Sequence, residues 1–84
     1  MTADQLRALI AAGLPCEHLE VSGDGRHWMA IVVSPAFEGC RAIQRHQMVY
    51  ATLGQRMHTD EVHALSMKTY TPVEWQAARR TAQE

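Results

Sequence analysis

The chain has 84 residues, of which 46% are hydrophobic, and a formal charge of -1 at pH 7. A chain this short fits one small domain with little room for a deep cleft lined by its own catalytic groups, which argues against an enzyme. The near-neutral charge also lacks the basic excess that is typical of dedicated nucleic-acid modules.

The first predicted element is a short helix. Thr2 stands at the capping position and Gln5 stands three residues later, which is the capping-box spacing. Apolar residues then recur at helical spacing. Gly13 and Pro15 follow in the order that usually ends a helix.

A β-hairpin is predicted next. Apolar and polar residues alternate from His18 to Ser22, which is the pattern of a half-buried strand. Gly23-Asp24-Gly25 supplies the residues that a tight hairpin turn prefers. The returning segment from Trp28 to Val33 is apolar on both faces and therefore predicts a central strand.

Helical spacing returns at Arg41 and ends at Gly54. Five residues are predicted to share one broad apolar face of this second helix: Ile43, His46, Val49, Tyr50 and Leu53. A polar connector then leads to a third strand, predicted from Val62 to Lys68.

The last predicted element is a helix that begins after Thr71. Thr71 is its cap, Pro72 occupies its first position and Glu74 has the capping-box spacing. We expect this helix to fray into a polar tail from about residue 79. The whole chain, 1–84, then forms a single α+β domain in the order α-β-β-α-β-α.

The helix between the second and third strands makes a βαβ crossover. If these strands are neighbours, they run parallel and begin at the same edge of the sheet. His27 stands at the start of the second strand and His63 at the start of the third. Neighbouring strands lie ~4.8 Å apart, so the two imidazoles could share one ligand.

The chain has five histidines, and each also has a structural interpretation. His18 is expected to be solvated on an edge strand, and His58 lies in the polar connector without an evident partner. His46 is expected to be a hydrogen-bonded core or boundary residue of the second helix. Only the pair His27 and His63 makes a metal site competitive, and a binding partner would have to supply further ligands.

Cys16 and Cys40 are the only cysteines, and they form neither a disulfide framework nor a zinc pattern. Each is expected to be a buried, inert thiol, although Cys40 begins a helix, where a thiol's pKa can fall. No signal peptide or bilayer-spanning apolar run is evident. We therefore expect a cytoplasmic protein without a membrane partner, and we find no catalytic constellation.

Three segments, "VVSPAFEG", "QRHQMVYATL" and "VHALSMKTYTPVEW", resemble the BolA family in their order and spacing. The hairpin "VSGDGRHW" is similar to the branch represented by the acid-stress protein IbaG. The resemblance implies a KH-like fold of the second type, with a three-stranded mixed sheet and helices on one face. It also implies association with a monothiol glutaredoxin, in a complex that holds a bridging 2Fe–2S cluster with glutathione as a thiolate donor.

The resemblance assigns roles to particular residues. The histidine before Ala-Leu, His63, matches the family's characteristic cluster ligand, and His27 matches the hairpin ligand of a histidine-type member. The docking face for the glutaredoxin would include Arg26, Thr71 and Pro72. Imidazoles in place of thiolates would raise the cluster's potential and weaken binding in acid. No cluster is expected in the isolated protein, which should be a monomer or a weak homodimer.

Two alternatives remain at this stage. The family is also associated with transcriptional regulation through DNA, for which Arg41, Arg45 and Lys68 are the candidate contacts. A nucleic-acid-binding KH module, however, carries a G-x-x-G loop, and none occurs between Ser34 and Asp60. The third interpretation is a small adaptor whose histidines are incidental. The sequence leaves open whether a cluster complex would deliver, sense or store clusters, and whether stress regulates it.

Overall fold

The computed structural model of the protein describes residues 2–24, 27–54 and 64–83. Its helices are α1 (Ala3–Gly13), α2 (Ala42–Leu53) and α3 (Pro72–Gln83), its strands are β1 (His18–Gly23), β2 (His27–Val33) and β3 (Ala64–Tyr70), and a 3₁₀ turn covers Pro35–Phe37. The predicted α-β-β-α-β-α order and α+β fold class are confirmed. Within the described residues, no helix is long and apolar enough to cross a bilayer.

The three strands form one mixed sheet in the order β1-β2-β3. β1 and β2 are antiparallel, with His18 opposite Val33, whereas β2 and β3 are parallel, with His27 opposite Ala64. The prediction that the apolar second strand is central is therefore confirmed. The parallel pairing of β2 and β3 through the α2 crossover is confirmed as well.

Capping side chains hold the starts of α1 and α3. Thr2 N–H donates to Gln5 Oε1 at 2.9 Å, and Gln5 N–H donates to Thr2 Oγ1 at 3.1 Å. The same exchange joins Thr71 and Glu74 at 2.8 and 3.2 Å. Both predicted capping boxes are thus confirmed, because this signal is local and needs no tertiary context.

Two predicted boundaries differ from the structure. β3 continues to Tyr70, two residues beyond the predicted end at Lys68, because Thr69 and Tyr70 pair with Val32 and Val33 of β2. α3 continues to Gln83, whereas we expected it to fray from about residue 79. The helix therefore continues beyond its apolar residues, into the polar segment at the end of the chain.

The main core lies between one face of the sheet and the helices α1 and α2. Among the described residues, nine buried ones form it: Leu6, Ile10, Leu14, Trp28, Ala30, Val32, Phe37, Val49 and Leu53. Ile43, which we predicted on the apolar face of α2, is instead 66% exposed. At 3.6 residues per turn, Ile43 lies about 120° around the helix from Val49, outside the stripe that meets the core.

α3 contacts residues of the opposite sheet face. His18, Val33 and Tyr70 are cross-strand neighbours in the register. They lie on the face of the sheet opposite to the core residues Trp28, Ala30 and Val32. The Trp75 ring stacks on His18 with centroids 4.9 Å apart and lies 5.3 Å from the Tyr70 ring. The expected placement of helices on one face thus describes α1 and α2, whereas Trp75 brings α3 against the other face.

Gly23 ends β1 beneath the ring of Trp28. A Cβ at this position would lie 2.5 Å from the His27 carbonyl oxygen and 2.5 Å from Trp28 Cε3. The first of these atoms belongs to the backbone and the second to a core indole, so neither can move away cheaply. Glycine is therefore required here by close approach, and it fixes how tightly the hairpin end that carries His27 can pack.

Replacing Gly23 by alanine tests this packing. We expect Gly23→Ala to lower the free energy of unfolding by about 1–3 kcal/mol, because the added methyl group must displace the indole or the hairpin backbone. Urea unfolding followed by circular dichroism measures the change. The neighbouring exposed Ser22→Ala variant is the control and should stay within about 0.5 kcal/mol of the wild type. Equal stability of the two variants would contradict the packing argument.

Candidate functional site

His27 is the first residue of β2, and its side chain is 77% exposed. Its backbone is held at the hairpin end, where its N–H donates to Asp24 Oδ1 at 2.9 Å and its carbonyl accepts from Asp24 N–H at 3.3 Å. The next residue, Trp28, is buried in the core. A fixed backbone therefore presents an open imidazole to solvent.

Asp24 also faces the imidazole ring of His27. Its Oδ2 lies 4.0 Å from His27 Nδ1. The two atoms are too far apart for a hydrogen bond, but a carboxylate on the Nδ1 side favours Nε2 as the ring nitrogen that binds a ligand. The donor chemistry of this position therefore fits a borderline metal centre such as a 2Fe–2S cluster.

The second predicted ligand, His63, lies outside the described residues, as does Arg26 of the predicted docking face. In the sequence, His63 directly precedes Ala64, the residue that pairs with His27 in the parallel register. The strand pairing on which the two-histidine hypothesis depends is present. The joint use of His27 and His63 as ligands stays a prediction.

Within the described ranges, no group of three or more histidine, cysteine, aspartate and glutamate side chains is arranged to hold a metal ion. His27 is therefore an open donor position rather than one corner of a closed cage. Closed structural zinc sites use four protein ligands, which this part of the chain does not assemble. A metal centre at His27 would need ligands from other parts of the chain or from a partner.

The remaining histidines have different surroundings. His18, expected to be solvated, donates from Nε2 to a Glu20 carboxylate oxygen and stacks on Trp75, so it joins β1 to α3. The sequence could not show this contact, because Trp75 lies far along the chain. His46 is half-buried on α2, in agreement with a boundary residue. His58 lies outside the described residues.

Both cysteines are free and half-buried. Cys16 Sγ donates to the Leu14 carbonyl at 3.3 Å, and Cys40 Sγ donates to the Ala36 carbonyl at 3.7 Å. Burial raises the pKa of the Cys16 thiol, with the Arg7 charge acting weakly in the other direction. The protonated form of Cys16 is therefore favoured, and this form is a poor nucleophile and metal ligand.

Arg45 is occupied by interactions within the fold. Only 13% of its side chain is exposed, and its Nη1 and Nη2 donate to the two Glu74 carboxylate oxygens at 2.6 and 3.3 Å. Its Nε donates to the Cys40 carbonyl at 3.0 Å and its Nη1 to the Thr69 carbonyl at 3.4 Å. This side chain thus ties α2 to the end of β3 and the start of α3. Of the three predicted nucleic-acid contacts, Arg41 and Lys68 are the exposed ones.

The start of α3 presents a different surface from the one we predicted. Thr71 is only 7% exposed, and both its N–H and its hydroxyl are engaged with Glu74. Pro72 is half-buried, but the next residue, Val73, is 71% exposed. The sequence analysis did not single out Val73. Its place in the first turn of α3, directly after Pro72, was the available signal.

The sequence is similar to one protein family and to named members of it. The sequence model described as BolA-like protein matches residues 11–74. The acid stress protein IbaG of Escherichia coli K12 is 32% identical over 80 residues, which cover 95% of each chain. The DNA-binding transcriptional regulator BolA of the same organism is 39% identical over 64 residues, covering 76% of this chain and 60% of the regulator.

The fold is shared with solved structures of similar proteins. A bolA protein homologue from Coxiella burnetii superposes with a TM-score of 0.80 at 43% identity. The match covers 90% of this chain and 97% of that homologue. The similarity therefore extends over the whole sheet and its flanking helices rather than over one motif.

The Arg45–Glu74 pair gives stability a defined dependence on pH. The hydrogen bonds from Arg45 hold the pKa of the Glu74 carboxyl below its usual range, and the Thr71 N–H adds to the effect. Because the pKa of Glu74 is lower in the folded state, its contribution to stability is complete above its pKa in the unfolded state, about 4.3. That contribution is lost as the pH falls through the pKa of the folded state. Because the Glu74 side chain is 48% exposed, solvent screening reduces the contribution of this pair to the free energy of unfolding.

The Glu74→Gln variant tests this pair. At pH 7 we expect it to be less stable by about 0.5–1 kcal/mol, and we expect the two proteins to converge as the pH falls below about 4. Chemical unfolding at a series of pH values measures the difference. Glu38→Gln, at an exposed position after the 3₁₀ turn, is the control. A Glu74→Gln deficit that stays constant into acid would show that the charge pair is not its source.

Proposed function

The chain belongs to the BolA-like protein family, and from this premise we propose that it partners a monothiol glutaredoxin and shares a bridging 2Fe–2S cluster with it. In this complex, the glutaredoxin cysteine and the glutathione thiolate bind one side of the cluster. His27 and His63 bind the other side. The complex would act in iron–sulfur trafficking or in an iron or stress response, in the cytoplasm.

One observation supports this proposal most strongly. His27 is an open imidazole on a fixed backbone, and it pairs across the sheet with Ala64, the residue that follows His63. The two backbone contacts with Asp24 close the hairpin and fix the backbone of residue 27, and the Asp24 carboxylate also lies on the Nδ1 side of the ring. Together they suit a ligand that must meet a partner's cluster at a defined position.

The proposed ligands determine the electronic character of the cluster. A 2Fe–2S centre with two neutral imidazoles carries less negative charge than one with four thiolates, which raises its reduction potential. The role of this chain is to hold Nε2 of His27 outward and to keep competing donors away. The half-buried Cys16 thiol, whose raised pKa favours the protonated form, is consistent with thiolates that come from the partner.

The surface near the start of α3 is the proposed docking region. Val73 offers an exposed apolar side chain next to Pro72, and the Arg45–Glu74 pair holds this turn in place. Arg26 would extend the surface toward the hairpin. Apolar contacts surrounded by fixed polar groups are typical of moderate-affinity protein interfaces.

Visible circular dichroism tests shared ligation. A 2Fe–2S-loaded monothiol glutaredoxin with glutathione should give a new spectrum when this protein is added, saturating at one-to-one, because imidazoles replace ligands on one iron. His63→Ala should abolish the new spectrum, and His27→Ala should abolish or strongly weaken it. Far-ultraviolet circular dichroism checks that each variant is folded.

A matched control tests whether the loss of the spectrum is specific to the two proposed ligand histidines. His46→Gln removes a half-buried α2 histidine and should leave the new spectrum intact. An unchanged cluster spectrum despite complex formation would favour an adaptor with incidental histidines. An undiminished spectrum with folded His63→Ala would rule out His63 as a ligand.

DNA binding is the second candidate function. It is favoured by the similarity to a chain named as a DNA-binding transcriptional regulator and by the exposed side chains of Arg41 and Lys68. The formal charge of -1 and the internal use of Arg45 leave few cations for phosphate contacts. We therefore expect any such binding to be weak and steeply dependent on salt.

Fluorescence anisotropy with labelled duplex DNA tests this second candidate. If DNA is bound, the logarithm of the binding constant should fall with the logarithm of salt concentration with a slope of about -0.9 per neutralised phosphate. Arg41→Gln and Lys68→Gln should each reduce that slope by about one. Arg79→Gln, at an exposed position of α3, is the control. Slopes that neither variant changes would place any DNA contact elsewhere.

A further inference from the structure

Met29 exposes its side chain beside His27. The two residues are separated by one position in β2, so their side chains leave the same face of the sheet. Met29 is 43% exposed, and its neighbours in the register are two exposed serines, Ser22 and Ser66. A thioether on a central strand is thus left open to solvent between small polar side chains.

The spacing lets both side chains reach one point. Residues two apart in a strand are separated by about 6.7 Å along the backbone. A histidine and a methionine both carry their donor atoms several bonds beyond Cβ, so Nε2 of His27 and Sδ of Met29 can meet between them. The carboxylate of Asp24 lies 4.0 Å from Nδ1, so Nε2 is the ring nitrogen farther from this carboxylate.

The donor set selects a class of metal. A thioether is a soft ligand, and together with imidazole it suits Cu(I) rather than hard cations, which prefer oxygen. A closed-shell Cu(I) ion is satisfied by very few donors, whereas a structural zinc site demands four. Two open donors on one strand therefore match Cu(I) better than zinc.

We propose that His27 and Met29 form a binding site for the soft monovalent cation Cu(I), with the Asp24 carboxylate nearby on the Nδ1 side of the imidazole. The site goes beyond cluster sharing, because it depends on Met29, which has no part in the proposed cluster ligation. It also uses the same Nε2 as the cluster. Cu(I) bound here would therefore exclude His27 from a shared cluster.

Nuclear magnetic resonance with ¹³C-methyl-labelled methionine tests the site directly. Ag(I), a diamagnetic and air-stable ion of the same class, is the probe. It is added until both cysteine thiols are saturated and one further equivalent is present, since thiols bind this ion first. We expect the Met29 methyl resonance, assigned with Met29→Leu, to shift together with the His27 ring signals. His27→Ala should remove the Met29 shift.

Met67→Leu is the matched control, because Met67 packs toward the core from the other face of the same sheet. It should leave the Met29 shift and the Ag(I) affinity of that site unchanged, whereas Met29→Leu should lower the affinity at least about tenfold. A Met29 methyl signal that stays in place throughout, or shifts equally in His27→Ala, overturns the proposal.

The cluster titration separates this proposal from the proposed function. Met29→Leu should give the same one-to-one cluster spectrum as the wild type while losing the Ag(I) response. Loss of both properties in Met29→Leu would show that Met29 does not act as a separate soft ligand, and would overturn the Cu(I) site. Failure of cluster sharing with an intact Ag(I) response would leave the Cu(I) site standing alone.

Discussion

Parallel pairing between β2 and β3 determines what can happen at the His27 edge. Because the strands run in the same direction, both begin at this edge, and His27 lies opposite Ala64 rather than opposite the far end of β3. An antiparallel pairing would have separated the two strand starts by the length of the sheet. The parallel arrangement in turn requires the α2 crossover, so the longest connection in the fold serves the position of the strand starts.

The crossover also explains why Arg45 is buried in the fold instead of lying free. Arg45 lies on α2, and it donates to the Thr69 carbonyl and the Glu74 carboxylate where β3 passes into α3. Trp75, one residue further, stacks on His18 at the opposite edge of the sheet. α3 is therefore held across the sheet by a charge pair and a ring stack. This attachment keeps the exposed Val73 in a defined place.

Local signals in the sequence predicted the fold well. The capping boxes at Thr2 and Thr71 and the central strand Trp28–Val33 each depend on residues that are close in sequence, and each is confirmed. The partners of Arg45 and His18 were not predictable, because Glu74 and Trp75 lie 29 and 57 positions away and neither pair has a sequence signature. The sequence marked His27 as a candidate but did not show its contacts with Asp24, although the two residues are only three positions apart.

The open face beside His27 has two opposed requirements. A cluster-sharing ligand must be exposed, since a partner has to reach it, and exposure makes the same imidazole available to any soft cation. Met29 sharpens this conflict, because a leucine at that position would cover similar apolar area without offering a sulfur donor. An aliphatic side chain could therefore cover the same surface at this position. The thioether's distinctive property at this site is affinity for soft metals, and the proposed Cu(I) site would link His27, the proposed cluster ligand, to the availability of copper.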